Sequence, residues 1–186
     1  ELGIPEDAFV VGQVGRLSEQ KAPDTFVKAA KSIKEKIPNA YFILVGNGEL
    51  RGQIEKMIHE AGLDNSFLIT GWVDNPTAYM KVMNVGTLLS RWEGFGLVLP
   101  EYMACGVPIV ATDVDAIPNV IQDNKNGILI RKNDFEAVSK AVNELFDGSS
   151  LRKQLINNVE QIVNEKYNAT RLTHESIQMY LRLLND

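Results

Sequence analysis

Val85-Gly86-Thr87-Leu88-Leu89-Ser90 runs directly into Arg91-Trp92-Glu93-Gly94-Phe95-Gly96-Leu97-Val98-Leu99-Pro100-Glu101. The first six residues are a compact, β-rich run without clean polar alternation, as expected of a strand buried on both faces. The two glycines that follow let a loop turn tightly and bring backbone amides close to a ligand. A helix is expected from about Leu97, with Pro100 tolerated in its first turn. The free N–H groups of such a turn face the crevice beyond the strand and suit a diphosphate. Glu93 lies on the loop and Glu101 about one turn into the helix, so they approach a ligand from different directions. Carboxylates bind sugar hydroxyls well, because each oxygen accepts charge-assisted hydrogen bonds. A carboxylate taken at random is usually solvated decoration; the glycine loop at a strand end favours a functional role for this pair.

The same strand-then-helix unit recurs along the chain. Strands are expected over 10–14, 41–45, 67–70, 85–90, 109–112 and 127–130. Helices are expected over 23–36, 49–61, 75–82, 97–105, 117–122 and 134–146. The last of these is the clearest, with Phe135, Val138, Val142 and Leu145 on one stripe and Asn133 or Asp134 as cap. Alternating units of this kind imply right-handed crossovers and an α/β fold, Rossmann-like, with a six-stranded parallel sheet inside an α/β/α sandwich. Two further helices, about 149–165 and 170–184, close a single domain over 1–186. The final helix carries Ile177, Tyr180, Leu181 and Leu184 at helical spacing, either to pack on this domain or to reach a partner domain. In open parallel sheets ligands bind beyond the carboxyl ends of the strands. The strand-end loops, and so the candidate ligand-binding loops, are 15–21, 46–48, 71–74, 91–96, 113–117 and 131–133.

Bulk composition is that of an ordinary globular domain: 186 residues, 45% hydrophobic, 23% charged and a formal net charge of -5. The negative balance argues against nucleic acid as a partner, while leaving room for a local basic pocket. The one cysteine, Cys105, forms no internal disulfide and suits a small packing role. No Cys/His cluster has metal-ligand spacing, so no metal or other cofactor is expected. No apolar run approaches the roughly 18–20 residues of a membrane span, and no signal peptide is visible. A cytoplasmic location is expected. Because the chain begins at Glu1 and not Met, it is read as part of a longer polypeptide.

Two cations, Arg16 and Lys21, fall after the first strand. Arg as a fork and Lys as a point charge both suit a diphosphate, although such a pair is more often an ordinary feature of the surface. Gly46-Asn47-Gly48 follows the second strand, but the full dinucleotide fingerprint is missing because position 51 is Arg. His59 and His174 have no carboxylate or nucleophile partner visible in the sequence and are read as surface residues.

From Ser90 through Glu101, and on through Met103-Ala104-Cys105-Gly106-Val107-Pro108-Ile109-Val110-Ala111-Thr112, the chain resembles family 4 of the retaining glycosyltransferases. Its E-x7-E motif matches Glu93 and Glu101. Further blocks agree in order: Val14-Gly15-Arg16-Leu17 with Lys21, Val45-Gly46-Asn47-Gly48-Glu49-Leu50-Arg51, Phe67 to Val73, Ile117-Pro118, and Asn126 to Leu129. The match runs from about residue 2 to the final helix, and such a series is more specific than any one motif. It implies one half of a two-domain GT-B enzyme, the half that binds the nucleotide-diphosphate sugar. An acceptor-binding domain would precede it, with any peripheral membrane association made through that absent half.

The resemblance also implies residue roles. Arg16 and Lys21 would grip the diphosphate in place of a metal and stabilise the charge that builds on the leaving group. Glu101 would hold the ribose hydroxyls and Glu93 those of the sugar. Gly15, Gly46, Asn47 and Gly48 would flank the nucleotide, with backbone N–H groups as donors. Backbone groups of Trp72 and Val73 would hold the base, with the Trp72 ring either stacked on it or closing the pocket. Gly94, Phe95 and Gly96 would line the sugar, Phe95 being equally suited to buried packing, and Leu97 N–H would meet a phosphate. The intact enzyme would transfer a hexose with retention of configuration in cell-envelope polysaccharide synthesis, and this chain alone would bind without turnover. One departure stands out. Where the family has a Gly-Gly-Ile-Pro turn, this chain reads Asp115-Ala116-Ile117-Pro118, which limits positive φ and adds a carboxylate. Asn119 also replaces a common Glu. A sugar-nucleotide epimerase, a phosphorylase and a non-catalytic nucleotide-sensing or docking module are the alternatives.

Overall fold

A computed structural model describes residues 3–166 and 169–185. The order of elements is β1 (Phe9–Val14), α1 (Pro23–Lys36), β2 (Ala40–Val45), α2 (Arg51–Glu60), β3 (Phe67–Gly71), α3 (Pro76–Met80), β4 (Val85–Leu88), α4 (Val98–Ala104), β5 (Ile109–Thr112), α5 (Ile117–Val120), β6 (Ile128–Ile130), α6 (Phe135–Asp147), α7 (Ser149–Lys166) and α8 (Ala169–Asn185). The six strands form one parallel sheet in the order β3-β2-β1-β4-β5-β6. A short 3-10 turn, Asp64–Ser66, precedes β3 and was not expected from the sequence. It places Asp64 3.2–3.3 Å from His59 Nδ1, so His59 does have a carboxylate partner, though on the surface.

The sheet is apolar on both faces, which is why its strands read as continuous hydrophobic runs. Val11, Phe42 and Leu44 point into a core shared with Phe26 and Ile33 of α1, Ile54 of α2 and Val142 of α6. Val10, Ile43 and Val45 point the other way, onto Met80, Leu99, Tyr102, Met103 and Ile117. Successive strand residues alternate between these two cores, as the pleat requires. Phe26, Phe42 and Phe67 meet with ring centroids 5.7–6.2 Å apart. Helix α7 joins the layers, with Leu155 buried in the first core and Val159 in the second.

Helix ends follow local chemistry. Asp134, not Asn133, caps α6: its carboxylate accepts the Ala137 N–H at 2.9 Å. Asn133 instead takes φ 62° and serves a loop contact described below. On α8, Ile177, Tyr180, Leu181 and Leu184 are all exposed, so this stripe is not part of the buried core. No helix among the described residues is long and apolar enough to cross a membrane.

Candidate functional site

The strand order reverses between β1 and β4, where the chain has wound away in both directions. The loops leaving these two neighbouring strands therefore open side by side, which makes a crevice at their carboxyl ends. Lys21 comes from the first loop and Glu93 from the second, 72 residues apart in sequence, and Lys21 Nζ donates directly to Glu93 Oε2. Their side chains are 19% and 9% exposed. Ser90 Oγ donates to the same carboxylate oxygen at 2.9 Å.

Several contacts fix these two residues from behind. Gln13 Nε2, on β1, donates to the Lys21 carbonyl at 2.8 Å, and Gln20 Nε2 donates to the Trp92 carbonyl at 3.0 Å. Ala22, just after Lys21, takes φ 49° and ψ 51° before Pro23 opens α1. That left-handed conformation costs an alanine about 1–2 kcal/mol, and it lies beside the site. Arg91 ties three loops together. Its Nη2 bridges both oxygens of Asp24 at 2.8 and 3.0 Å, Nη1 donates to the Glu19 carbonyl at 2.7 Å, and Nε to Asn133 Oδ1 at 2.8 Å. Glu93 N–H donates to Asp115 Oδ2 at 2.8 Å. The expectation that losing the glycine pair would limit positive φ does not hold at this position, since Asp115 adopts φ 45°. Asp is among the residues that tolerate this conformation, and here its short side chain anchors the Glu93 loop.

A cavity of about 380 Å³ opens at the ends of β1, β2 and β3, within the usual size of a small-molecule site. Gly15, Arg16, Gly46, Asn47, Trp72 and Val73 line it. Trp72 is 83% exposed, a free aromatic face at the cavity rim and not core packing. Arg16 is also exposed, and its Nε pairs with Glu49 Oε2 at 3.1 Å. The glycines of the 46–48 loop have a steric cause. A Cβ at Gly46 would lie 2.1 Å from the Gly15 carbonyl oxygen, and one at Gly48 2.4 Å from that of Leu17. The Gly48 N–H is occupied by the Asn47 side chain at 3.0 Å.

The E-x7-E segment divides differently. Gly96 takes φ 78°, and a Cβ there would press Leu88 and Leu99 at 3.0 and 3.1 Å; a Cβ at Gly94 would meet nothing within 4 Å. Phe95 and Leu97 are exposed, so Phe95 is not buried packing. The N–H groups of Gly94, Phe95, Gly96 and Leu97 have no protein acceptor among the described residues, whereas Leu99 N–H bonds the Gly96 carbonyl at 2.8 Å. Glu101 stands on the first turn of α4, and partial burial raises its carboxyl above the ordinary value. No group of three or more metal-ligating side chains is placed to hold an ion among the described residues.

Sequence reasoning missed Tyr102. Its ring is fully buried, its hydroxyl accepts the Val14 N–H at 2.9 Å, and burial holds the phenol strongly neutral. It thereby pins the end of β1 to α4, and Gly86 is what admits its ring, since a Cβ there would lie 2.8 Å away. Cys105 follows α4, half-buried, with its thiol pushed up by burial, as suits packing and not nucleophilic attack.

Comparison with known proteins agrees with this architecture. The family model for glycosyl transferases group 1 matches residues 1–162. The chain is 33% identical over 135 residues to a UDP-Gal:alpha-D-GlcNAc-diphosphoundecaprenol alpha-1,3-galactosyltransferase of Escherichia coli, covering 71% of this chain and 35% of that protein. It is 33% identical over 129 residues to an N-acetyl-alpha-D-glucosaminyl L-malate synthase of Bacillus anthracis, covering 69% and 34%. Among solved structures, a mutant of S. aureus TarM in complex with fondaparinux, alpha-GlcNAc-glycerol and UDP superposes with a TM-score of 0.85 at 25% identity, over 98% of this chain and 37% of that one. The C-terminal domain of the group 1 glycosyl transferase LpcC from Francisella tularensis gives 0.80 at 25% identity, over 87% of each chain. The chain spans about a third of the length of the curated relatives it matches. Its sheet order, its strand-end crevice and a match over most of its length together show that this chain belongs to the glycosyl transferases group 1 family.

Proposed function

We propose that this chain is the donor-binding domain of a retaining, metal-independent glycosyltransferase, half of a GT-B enzyme whose acceptor domain lies elsewhere in the polypeptide. The carrying observation is the meeting of Lys21 and Glu93 at the switch point, beside a cavity rimmed by Trp72. In this account the base lies against Trp72 and Val73, and the ribose hydroxyls donate to Glu101. The diphosphate sits among Arg16, Lys21 and the free N–H groups of residues 94–97. The hexose reaches Glu93. As the bond from the anomeric carbon to the phosphate oxygen breaks, negative charge grows on the leaving diphosphate. Lys21 and Arg16 stabilise that charge more in the transition state than in the ground state. The acceptor hydroxyl attacks from the same face, its proton passing to the departing phosphate oxygen, so no protein nucleophile is needed. The open space around Gly94 supports a sugar at this point. The E. coli relative is named for a UDP-sugar donor and TarM is in complex with UDP, which makes uridine nucleotides the first donors to try.

The test is turnover by the polypeptide that contains this chain. UDP-, GDP- and ADP-hexoses are supplied with excess chelator, and release of nucleoside diphosphate is followed alongside the anomeric configuration of the product. Turnover of one donor with retention, lowered about 10²-fold or more by Lys21→Ala, is expected. Inversion, or an absolute need for a divalent ion, contradicts the reading.

A further inference from the structure

A second cavity, of about 640 Å³, opens beside the Glu93 loop at the carboxyl ends of β4, β5 and β6, away from the Trp72 cavity. Trp92, Asp113, Val114, Asp115, Arg131 and Lys132 line it, with Arg91 at its wall. Arg91 is already committed to Asp24 and Asn133. Arg131, Lys132, Asp113 and Asp115 carry exposed side chains, and none of the four forms an ion pair among the described residues. With the Arg91 charge paired to Asp24, the remaining two positive and two negative charges of the cleft balance. Trp92, next to Glu93 in the chain, is 49% exposed.

We propose that this cleft is a saccharide subsite for the acceptor side of the reaction, taking an uncharged pyranose ring. The proposal rests on the reading that Glu93 holds the donor sugar. A phosphate here would meet two carboxylates and an ammonium two cations, so neither ion is favoured. A ring of hydroxyls uses both kinds of group at once: each O–H donates to Asp113 or the free oxygen of Asp115, and each oxygen accepts from Arg131 or Lys132. The C–H face of a pyranose carries slight positive charge and packs on the negative face of an indole. Asp115 links the cleft to the chemistry, because its other oxygen holds the Glu93 N–H at 2.8 Å. A saccharide on Trp92 therefore lies beside the residue assigned to the donor sugar.

The chain has two tryptophans, one in each cavity, so each cleft has its own reporter. Their indole N–H signals in ¹⁵N spectra of the 186-residue chain are assigned with Trp72→Phe. UDP, GDP and ADP are titrated first, then methyl α-D-glucopyranoside, methyl α-D-galactopyranoside and N-acetylglucosamine, with glycerol as control. A nucleoside diphosphate is expected to move Trp72. At least one saccharide is expected to move Trp92 saturably with Trp72 unchanged, and Asp113→Ala to weaken that binding about fivefold or more. The subsite is overturned if no saccharide moves Trp92, if glycerol moves it equally, or if Asp113→Ala changes nothing. A silent Trp72 with every nucleotide counts against the donor reading itself, while the Trp92 signal still decides the subsite.

Discussion

The Lys21–Glu93 contact makes the sharpest energetic prediction. The two side chains are 19% and 9% exposed, between a surface ion pair and a fully buried one. Exposed pairs are worth about 0.2–1 kcal/mol, while removing one partner of a buried pair costs about 3–5 kcal/mol. Lys21→Met leaves the Glu93 carboxylate with one Ser90 hydroxyl and Asp115 close behind, so its cost should lie between these limits, at about 2–3 kcal/mol. Glu93→Gln keeps the shape and an acceptor oxygen but strands the lysine less severely, because Lys21 reaches water; about 1–2 kcal/mol is expected. The double variant removes both charges and should be less destabilised than the sum by about 1–2 kcal/mol. Urea unfolding of the four proteins, analysed as a double-mutant cycle, measures this coupling. Additivity within about 0.5 kcal/mol would refute the claim that these residues interact in the folded chain.

The glycines of the E-x7-E segment should separate by role. Gly96→Ala should cost about 1–3 kcal/mol in denaturant unfolding, from its positive φ and the pressed leucines, whereas Gly94→Ala should stay within about 0.5 kcal/mol yet weaken nucleotide-sugar binding. Tyr102→Phe should lose about 1–3 kcal/mol, because the Val14 N–H loses its acceptor in a buried setting. Glu101 has a raised carboxyl pKa, so its contribution to stability is fully present below the unfolded value and is lost as pH rises through the higher folded value. Glu101→Gln should therefore raise Tm slightly at pH 7, lose that advantage at about pH 4 and below, and weaken nucleotide binding at neutral pH.

Much of the scaffold was legible because the central strands are buried on both faces and all six leave compact, mainly apolar runs, while α6 shows its stripe and its cap in sequence. Boundaries were less legible. α2 and α3 are shorter than the periodic segments that contain them, because Leu50 and Asn75 stand at their N-caps and Ala61 and Lys81 at their C-caps. Gly46 and Gly48 were visible as a strand-end motif, but their cause is the close approach of two loops, which involves backbone atoms of Gly15 and Leu17 that no local pattern reveals. The same limit applies to Lys21, Ser90 and Glu93. Each residue type could be singled out, but their convergence depends on β1 and β4 being neighbours. Asp115 was visible only as a departure. Its hydrogen bond to Glu93 follows from β5 lying next to β4, which sequence spacing does not encode.

Calorimetric titration shows whether the switch-point crevice binds a nucleoside diphosphate sugar. The 186-residue chain is titrated with UDP, GDP, ADP and their hexose conjugates in the presence of chelator. Saturable one-to-one binding of one nucleotide series, weakened about tenfold or more by both Lys21→Ala and Glu101→Ala, is the predicted result. Binding that is indifferent to both substitutions, or no binding of any of these ligands, would contradict this reading.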